Sequence, residues 1–268
     1  MACVPERPVA CDEKPGKISD MFKALFKNDQ AMTVVVSIIL VYTSLNICGN
    51  LVLYFFRFDV GNEGAYSIFA AVAFAAQVLV MMVIPLLRKR FSKSQLFISG
   101  FIIQIAGFAV ILIMAFAKLY TPQSWYILCL PGILIYLGYG MLNVIMTIFL
   151  SDSVDYGEVM NGTREESVIF SMQTFTVKLA SGVAVFLAGL VVDWIHLDTA
   201  AAVQTQDTLD ALRMWMTIPS VILLIVGIFV FKRFYKLDDT RMEEINPSLI
   251  KKQCRIIVIN DNCFYRME

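Results

Sequence analysis

Six stretches of this chain stay apolar long enough to imply a change of solvent. They run roughly over 31–56, 65–87, 95–117, 125–150, 168–194 and 212–231. Crossing a hydrocarbon core takes about 20 such residues. Backbone donors and acceptors find no water in lipid, so segments of this kind satisfy them internally, as helices. Alternation of the barrel type is absent. The pattern predicts an all-α membrane protein with six transmembrane helices. It divides the chain into a segment 1–30, a six-helix bundle 31–234 and a tail 235–268.

The flanks have their own patterns. Residues 1–17 are rich in proline and charge and read as disordered. Residues 18–28 place Phe22, Leu25 and Phe26 on one face of a short helix lying on the membrane surface. The first twenty residues lack the apolar run of a signal peptide. Residues 251–268 fit no span and no amphipathic pattern.

Polar residues inside three spans fall on single faces. In the first, Tyr42, Asn46 and Asn50 share an arc of roughly 80°, with Gly49 on it and Tyr54 near its edge. In the fourth, Tyr136, Tyr139, Gly140, Asn143 and Thr147 share roughly 100°. In the fifth, Ser171, Thr174, Lys178 and Ser181 share roughly 80°. Faces like these either pack helices together or line a wet cavity. Lys178 weighs towards the cavity. It lies near the middle of its span, where a lysine costs about 2.5–3.5 kcal/mol on insertion scales. No Asp or Glu stands mid-span to pair with it.

Composition agrees with the solvent argument. Hydrophobic residues make up 58% of the 268, charged residues 16%. A soluble domain carries about a quarter charged residues. Formal net charge is zero, which gives no argument for a nucleic-acid partner. The six cysteines are scattered without a CxxC, and the one histidine, His196, has no second to pair with, so no metal site is expected. An intramembrane protease would want a Ser–His pair, paired aspartates or an HExxH motif. None is present, so the chain does not read as an enzyme and needs no cofactor.

Charge also orients the bundle. Basic residues crowd one side: Lys14, Lys17, Lys23 and Lys27 before the first span, Arg88–Lys93 after the second, Arg164 after the fourth, Lys232 and Arg233 after the sixth. The other side, helix ends included, holds Arg57, Lys118 and Arg213. The positive-inside rule places both termini in the cytoplasm. Trp125 and Trp194 mark interfaces at the start of the fourth span and the end of the fifth. The connection 151–167 (SDSVDYGEVMNGTREES) stands out with five acids and the single base Arg164. Acids tolerated there imply ion-pair partners on another cytoplasmic surface, of the kind that break between conformational states.

The stretch from Asp152 to Ser181, DSVDYGEVMNGTREESVIFSMQTFTVKLAS, resembles the signature of the glycoside–pentoside–hexuronide:cation symporters. FKALFKND at 22–29 resembles that family's central cytoplasmic loop, and the likeness covers about residues 18–240. It implies the carboxyl-terminal half of a major facilitator fold, in which two six-helix halves alternate access around a midplane site. Gln173 and Thr174 match positions that approach the sugar, and Lys178 matches a lysine near the cation and sugar sites. Asn143 falls where the tenth helix faces the sugar, at a position that can be aromatic in the family. Tyr136 and Tyr139 are candidates for stacking on a sugar ring, and Asn46 and Asn50 follow from periodicity alone. Asp152, Asp155 and Arg164 match residues that close the cytoplasmic side. The coupling cation, H+ or Na+, would be held mostly by a complementary six-helix amino-terminal half. The expected partners are therefore that half, a sugar or glycoside, and the bilayer of the cytoplasmic membrane. The alternative is a non-transporting structural or regulatory membrane subunit.

Overall fold

A computed structural model of the chain describes residues 28–161, 166–201 and 203–235. The amphipathic segment before Asn28, Arg164 and the tail beyond Tyr235 lie outside the described residues. Six helices run α1 (Asp29–Tyr54), α2 (Glu63–Leu87), α3 (Lys93–Phe116), α4 (Cys129–Asn161), α5 (Glu166–Trp194) and α6 (Gln206–Phe234), and among the described residues there are no strands. α1 is prolonged by a π-helical turn, Phe55–Val60, and α4 is preceded by a 3-10 turn, Trp125–Leu128. Each of the six is long and apolar enough to cross a membrane.

α1 and α4 form the centre. α4 packs on α3, α2 and α1, while α1 packs on α6, α5 and α4, and α3 closes against α6. In the most apolar window of each helix, α1 and α4 are 61% and 56% buried, against 28% for α2 and α5. α2 and α5 are therefore the outer helices, and their large side chains, among them Phe74, Met82, Phe175 and Phe186, are exposed.

Three kinds of contact hold the helices. Small residues let backbones approach: a Cβ on Gly138 of α4 would lie 2.6 Å from both the Gln104 nitrogen and the Gly100 carbonyl oxygen of α3. Hydroxyls bridge helices, since Ser44 donates to the Ser220 carbonyl at 3.0 Å and Ser220 donates back to the Ser44 carbonyl at 2.8 Å. Aromatic rings fill one end, where Phe97, Phe149, Phe231 and Tyr235 pack edge and face with centroids 4.2–5.2 Å apart.

The fourth span departs from expectation. It was expected to end at 150 and give way to an acidic loop, but α4 continues to Asn161. Leu150, Ser153, Val154 and Gly157 are buried and recur at helical spacing, so this polar stretch still has one packed face. Asn28 accepts from the Ala31 amide as the cap of α1, and its own amide donates to the Ser153 carbonyl at 2.8 Å. The start of α1 is thereby tied to the extension of α4.

Gly138→Ala forces the α3 and α4 backbones apart. It is expected to destabilise the bundle by about 1–3 kcal/mol, as overpacking does. Gly182 of α5 has nothing within 4 Å of an added Cβ, so Gly182→Ala should leave stability equal or raise it slightly. Thermal unfolding in detergent, followed by reaction of the buried Cys48 thiol, measures both.

Candidate functional site

The polar faces of α1, α4 and α5 join in one hydrogen-bonded ribbon. Asn50 donates to the Asn46 carbonyl and Asn46 to the Tyr42 carbonyl, both at 2.7 Å, along α1. The Asn143 amide of α4 donates to the Tyr42 hydroxyl at 2.5 Å. Thr147 donates to the Asn143 carbonyl at 3.1 Å, and Gln173 of α5 reaches the Thr147 hydroxyl at 3.4 Å. Residues far apart in sequence are thus brought to one surface by the α1–α4 and α4–α5 contacts. Asn46, Asn50, Asn143 and Gln173 are half-buried, which leaves each some exposed polar surface.

The aromatic members divide. Tyr139 is 8% exposed and meets Tyr42 edge-on at 5.5 Å and Tyr136 at 6.4 Å. It supports the Tyr42 ring from behind, whereas Tyr136 is half-buried. Gly140 shares their arc by periodicity, yet it is buried against Val80 and Gln77 of α2 and serves packing. Gly49 of α1 has nothing within 4 Å of an added Cβ and faces open space.

α5 turns its polar stripe outward. Its buried stripe is Ile169, Thr176, Ala180, Ala184 and Ala188, and α1 is its main packing partner. The centre of the Ser171–Thr174–Lys178–Ser181 arc lies about 120° round the helix from that stripe. Thr174 and Lys178 are exposed, and the Thr174 hydroxyl donates back to the Phe170 carbonyl of its own helix at 3.2 Å. Lys178 makes no ion pair among the described residues. It stands twelve residues into α5, about 18 Å from its start, with sixteen residues still to run.

The acidic end holds charge inside the same chain. Asp152 pairs with Lys93 at the start of α3 at 2.6 Å, with both side chains about nine-tenths buried. The expected partner on another surface is thus, for Asp152, met by a residue of this bundle, and Lys93 is more than a topology signal. Asp155 is half-buried on the next turn of α4.

The opposite end carries a cluster that periodicity did not reveal. Arg213 of α6 donates to both carboxylate oxygens of Asp59, at 2.8 and 2.5 Å, and to Asp210 at 2.6 Å. The Tyr120 hydroxyl donates to Asp59 at 2.6 Å. The Asp59 and Arg213 side chains are 4% and 2% exposed. The charge pattern along the chain marks Arg213 only as a base on the outer side. α1 runs past its expected end through the π-helical turn, and α6 begins six residues before its expected start, so both groups are drawn inside. Burial, with the Asp59 carboxylate adding to it, pushes the Tyr120 phenol well above its ordinary range, so it remains a neutral donor.

Residues 5–239 match the family described as MFS/sugar transport protein. The chain is 26% identical over 235 residues to the uncharacterized symporter YjmB of Bacillus subtilis (strain 168), covering 88% of this chain and 50% of that protein. It is 24% identical to the raffinose carrier protein of Pediococcus pentosaceus, covering 87% of this chain and 35% of that one. It is 28% identical over 197 residues to an uncharacterized 29.9 kDa protein of Pseudescherichia vulneris, covering 72% of this chain and 68% of that one. The chain spans about half the length of YjmB and about a third of the raffinose carrier. These matches bear out the resemblance to sugar:cation symporters of the glycoside–pentoside–hexuronide type.

Asp59→Asn leaves the Arg213 guanidinium buried without its main counter-charge. The expected loss is about 3–5 kcal/mol of stability. Tyr42→Phe removes one ribbon bond and should lose about 1 kcal/mol. Unfolding in detergent by circular dichroism ranks the two, and an Asp59→Asn loss below that of Tyr42→Phe would contradict the burial argument.

Proposed function

We propose, for a chain that belongs to the MFS/sugar transport protein family, that it acts as the carboxyl-terminal half of a sugar:cation symporter working by alternating access. The observation that carries this reading is the position of Lys178. An exposed ammonium at mid-span would cost about 2.5–3.5 kcal/mol against acyl chains. A water-filled cavity, or a carboxylate on a complementary six-helix amino-terminal half, removes that cost. The same outer face of α5 carries Ser171, Thr174 and Ser181, and the ribbon brings Asn143 and Gln173 beside it.

In this reading a glycoside, pentoside or hexuronide enters between the halves. Lys178, Thr174, Gln173, Asn143, Asn46 and Asn50 supply donors and acceptors, and Tyr136 supplies a ring face. Tyr139 acts through Tyr42 and Asn143, which it packs behind. The coupling cation, H+ or Na+, sits mostly in the other half and biases the exchange of outward- and inward-open states. Both termini lie in the cytoplasm of a cytoplasmic-membrane protein, by the positive-inside rule. The Asp152–Lys93 pair and Asp155 then stand where the cytoplasmic side closes, and the family resemblance assigns Arg164 to the same role. No resident cofactor or metal takes part.

The test is uptake of radiolabelled raffinose. The chain alone should not accumulate it. Co-expression with the part of the raffinose carrier that this chain does not match should restore accumulation. Lys178→Ala should then reduce it at least tenfold, a loss of about 1.4 kcal/mol or more in the transport cycle. Accumulation by the isolated chain, or full activity in the Lys178→Ala variant, would sink the proposal.

A further inference from the structure

The end of the bundle opposite the acidic segment holds a cavity of about 260 Å3. None of its lining residues belongs to the polar ribbon. Asp59, Arg213 and Tyr120 form its polar wall, each at least nine-tenths buried. Phe58 and Leu209 add apolar surface, and Lys118 and Gln206 stand at its rim, joined by a 3.1 Å bond from the ammonium to the amide oxygen. Most of its lining is polar or charged, so the concavity suits a ligand that makes hydrogen bonds more than an apolar one.

Its unspent hydrogen-bonding capacity is specific. The Asp59 carboxylate accepts three bonds, two from Arg213 and one from Tyr120, where a carboxylate accommodates about four. The Lys118 ammonium has three donors, of which the Gln206 bond uses one. The Gln206 amide nitrogen donates as well. Donors and an acceptor therefore face the same small space.

The backbone gives a second, independent observation. Lys118 lies just past the end of α3 at φ 49, in the left-handed region that favours glycine. The end of α1 solves the same turn with Gly61 at φ 74. The lysine carries its ammonium to this position at a backbone cost that glycine would not bear. That side chain lines this cavity.

Charge and size select the ligand. The nearby charges cancel, with Asp59 and Asp210 against Arg213 and Lys118. The volume falls just below the roughly 300–1,000 Å3 of drug-sized pockets. We propose that this cavity is a second docking site, separate from the ribbon, for a single uncharged sugar ring. The proposal rests on the reading that the chain handles sugars. In the orientation given above the site lies on the outer face, where a sugar would meet it before the central cavity.

The experiment is saturation-transfer NMR on the purified full chain in lipid nanodiscs, with D-galactose as probe and D-glucuronate as the charged comparator. Lys118→Gly suits the left-handed backbone, so the fold is kept, and melting should be unchanged or higher. Galactose should bind the parent chain, and Gly182→Ala, whose added Cβ meets open space on α5, should bind it equally. Lys118→Gly should bind it about tenfold more weakly, as loss of a bond to a charged group predicts. Gln206→Ala should weaken it in the same direction. Absence of a galactose signal, equal binding by Lys118→Gly, or glucuronate binding in place of galactose would overturn the proposal. Loss in Lys178→Ala with binding kept in Lys118→Gly would overturn it while leaving the central site standing.

Discussion

Hydrocarbon offers a polar group no partner, and every level of this fold answers to that fact. It makes the six apolar segments helices, because only a helix bonds its own backbone. It also sets how they meet. Between apolar side chains and acyl tails there is little to choose, so association relies on close backbone approach and on hydrogen bonds between helices. Gly138 supplies the first between α3 and α4, and the Ser44–Ser220 exchange supplies the second between α1 and α6. The ribbon from Asn50 to Gln173 follows the same rule, with amides and a hydroxyl donating from both ends towards Tyr42, which accepts through its carbonyl and its hydroxyl.

The rule is left open at the exposed Lys178, and inside the bundle at Gln104 and Thr43, whose buried side-chain polar atoms have no partner among the described residues. The helix of Lys178 packs through alanines and holds the ammonium away from α1. The two ends of the bundle, by contrast, are closed by charge. Lys93–Asp152 ties α3 to α4 at one end, and Arg213–Asp59 ties α6 to α1 at the other. Both pairs are deeply buried, where breaking one partner is far more damaging than at a surface. The bundle is therefore braced at its ends and polar along one open side.

Much of this could be read from the chain. The spans were legible because twenty apolar residues have few other meanings, and Lys178 was legible because charge at that depth is rare. The extension of α4 was hidden by composition: five acids read as a loop, although Leu150, Ser153, Val154 and Gly157 already kept helical spacing. Periodicity could place Tyr139 and Gly140 on the polar arc but not say which neighbour covers them. The alanines at 180, 184 and 188 did carry a signal for the packed face of α5, and that signal fixes where Lys178 points. The Asp59–Arg213 pair had no local signal, since 154 residues separate its members and only the tertiary fold joins them.

The reciprocal bond between Ser44 and Ser220 has a consequence for motion. Because each serine is at once donor and, through its carbonyl, acceptor, the two contacts are made at one axial register. A slip of α6 along α1 by a single turn, about 5.4 Å, would break both inter-helix contacts together and leave the Ser220 hydroxyl only its 3.3 Å contact with the Met216 carbonyl of its own helix. Ratchet-like sliding at that seam is thereby disfavoured. The pair of bonds couples the two helices as one strut.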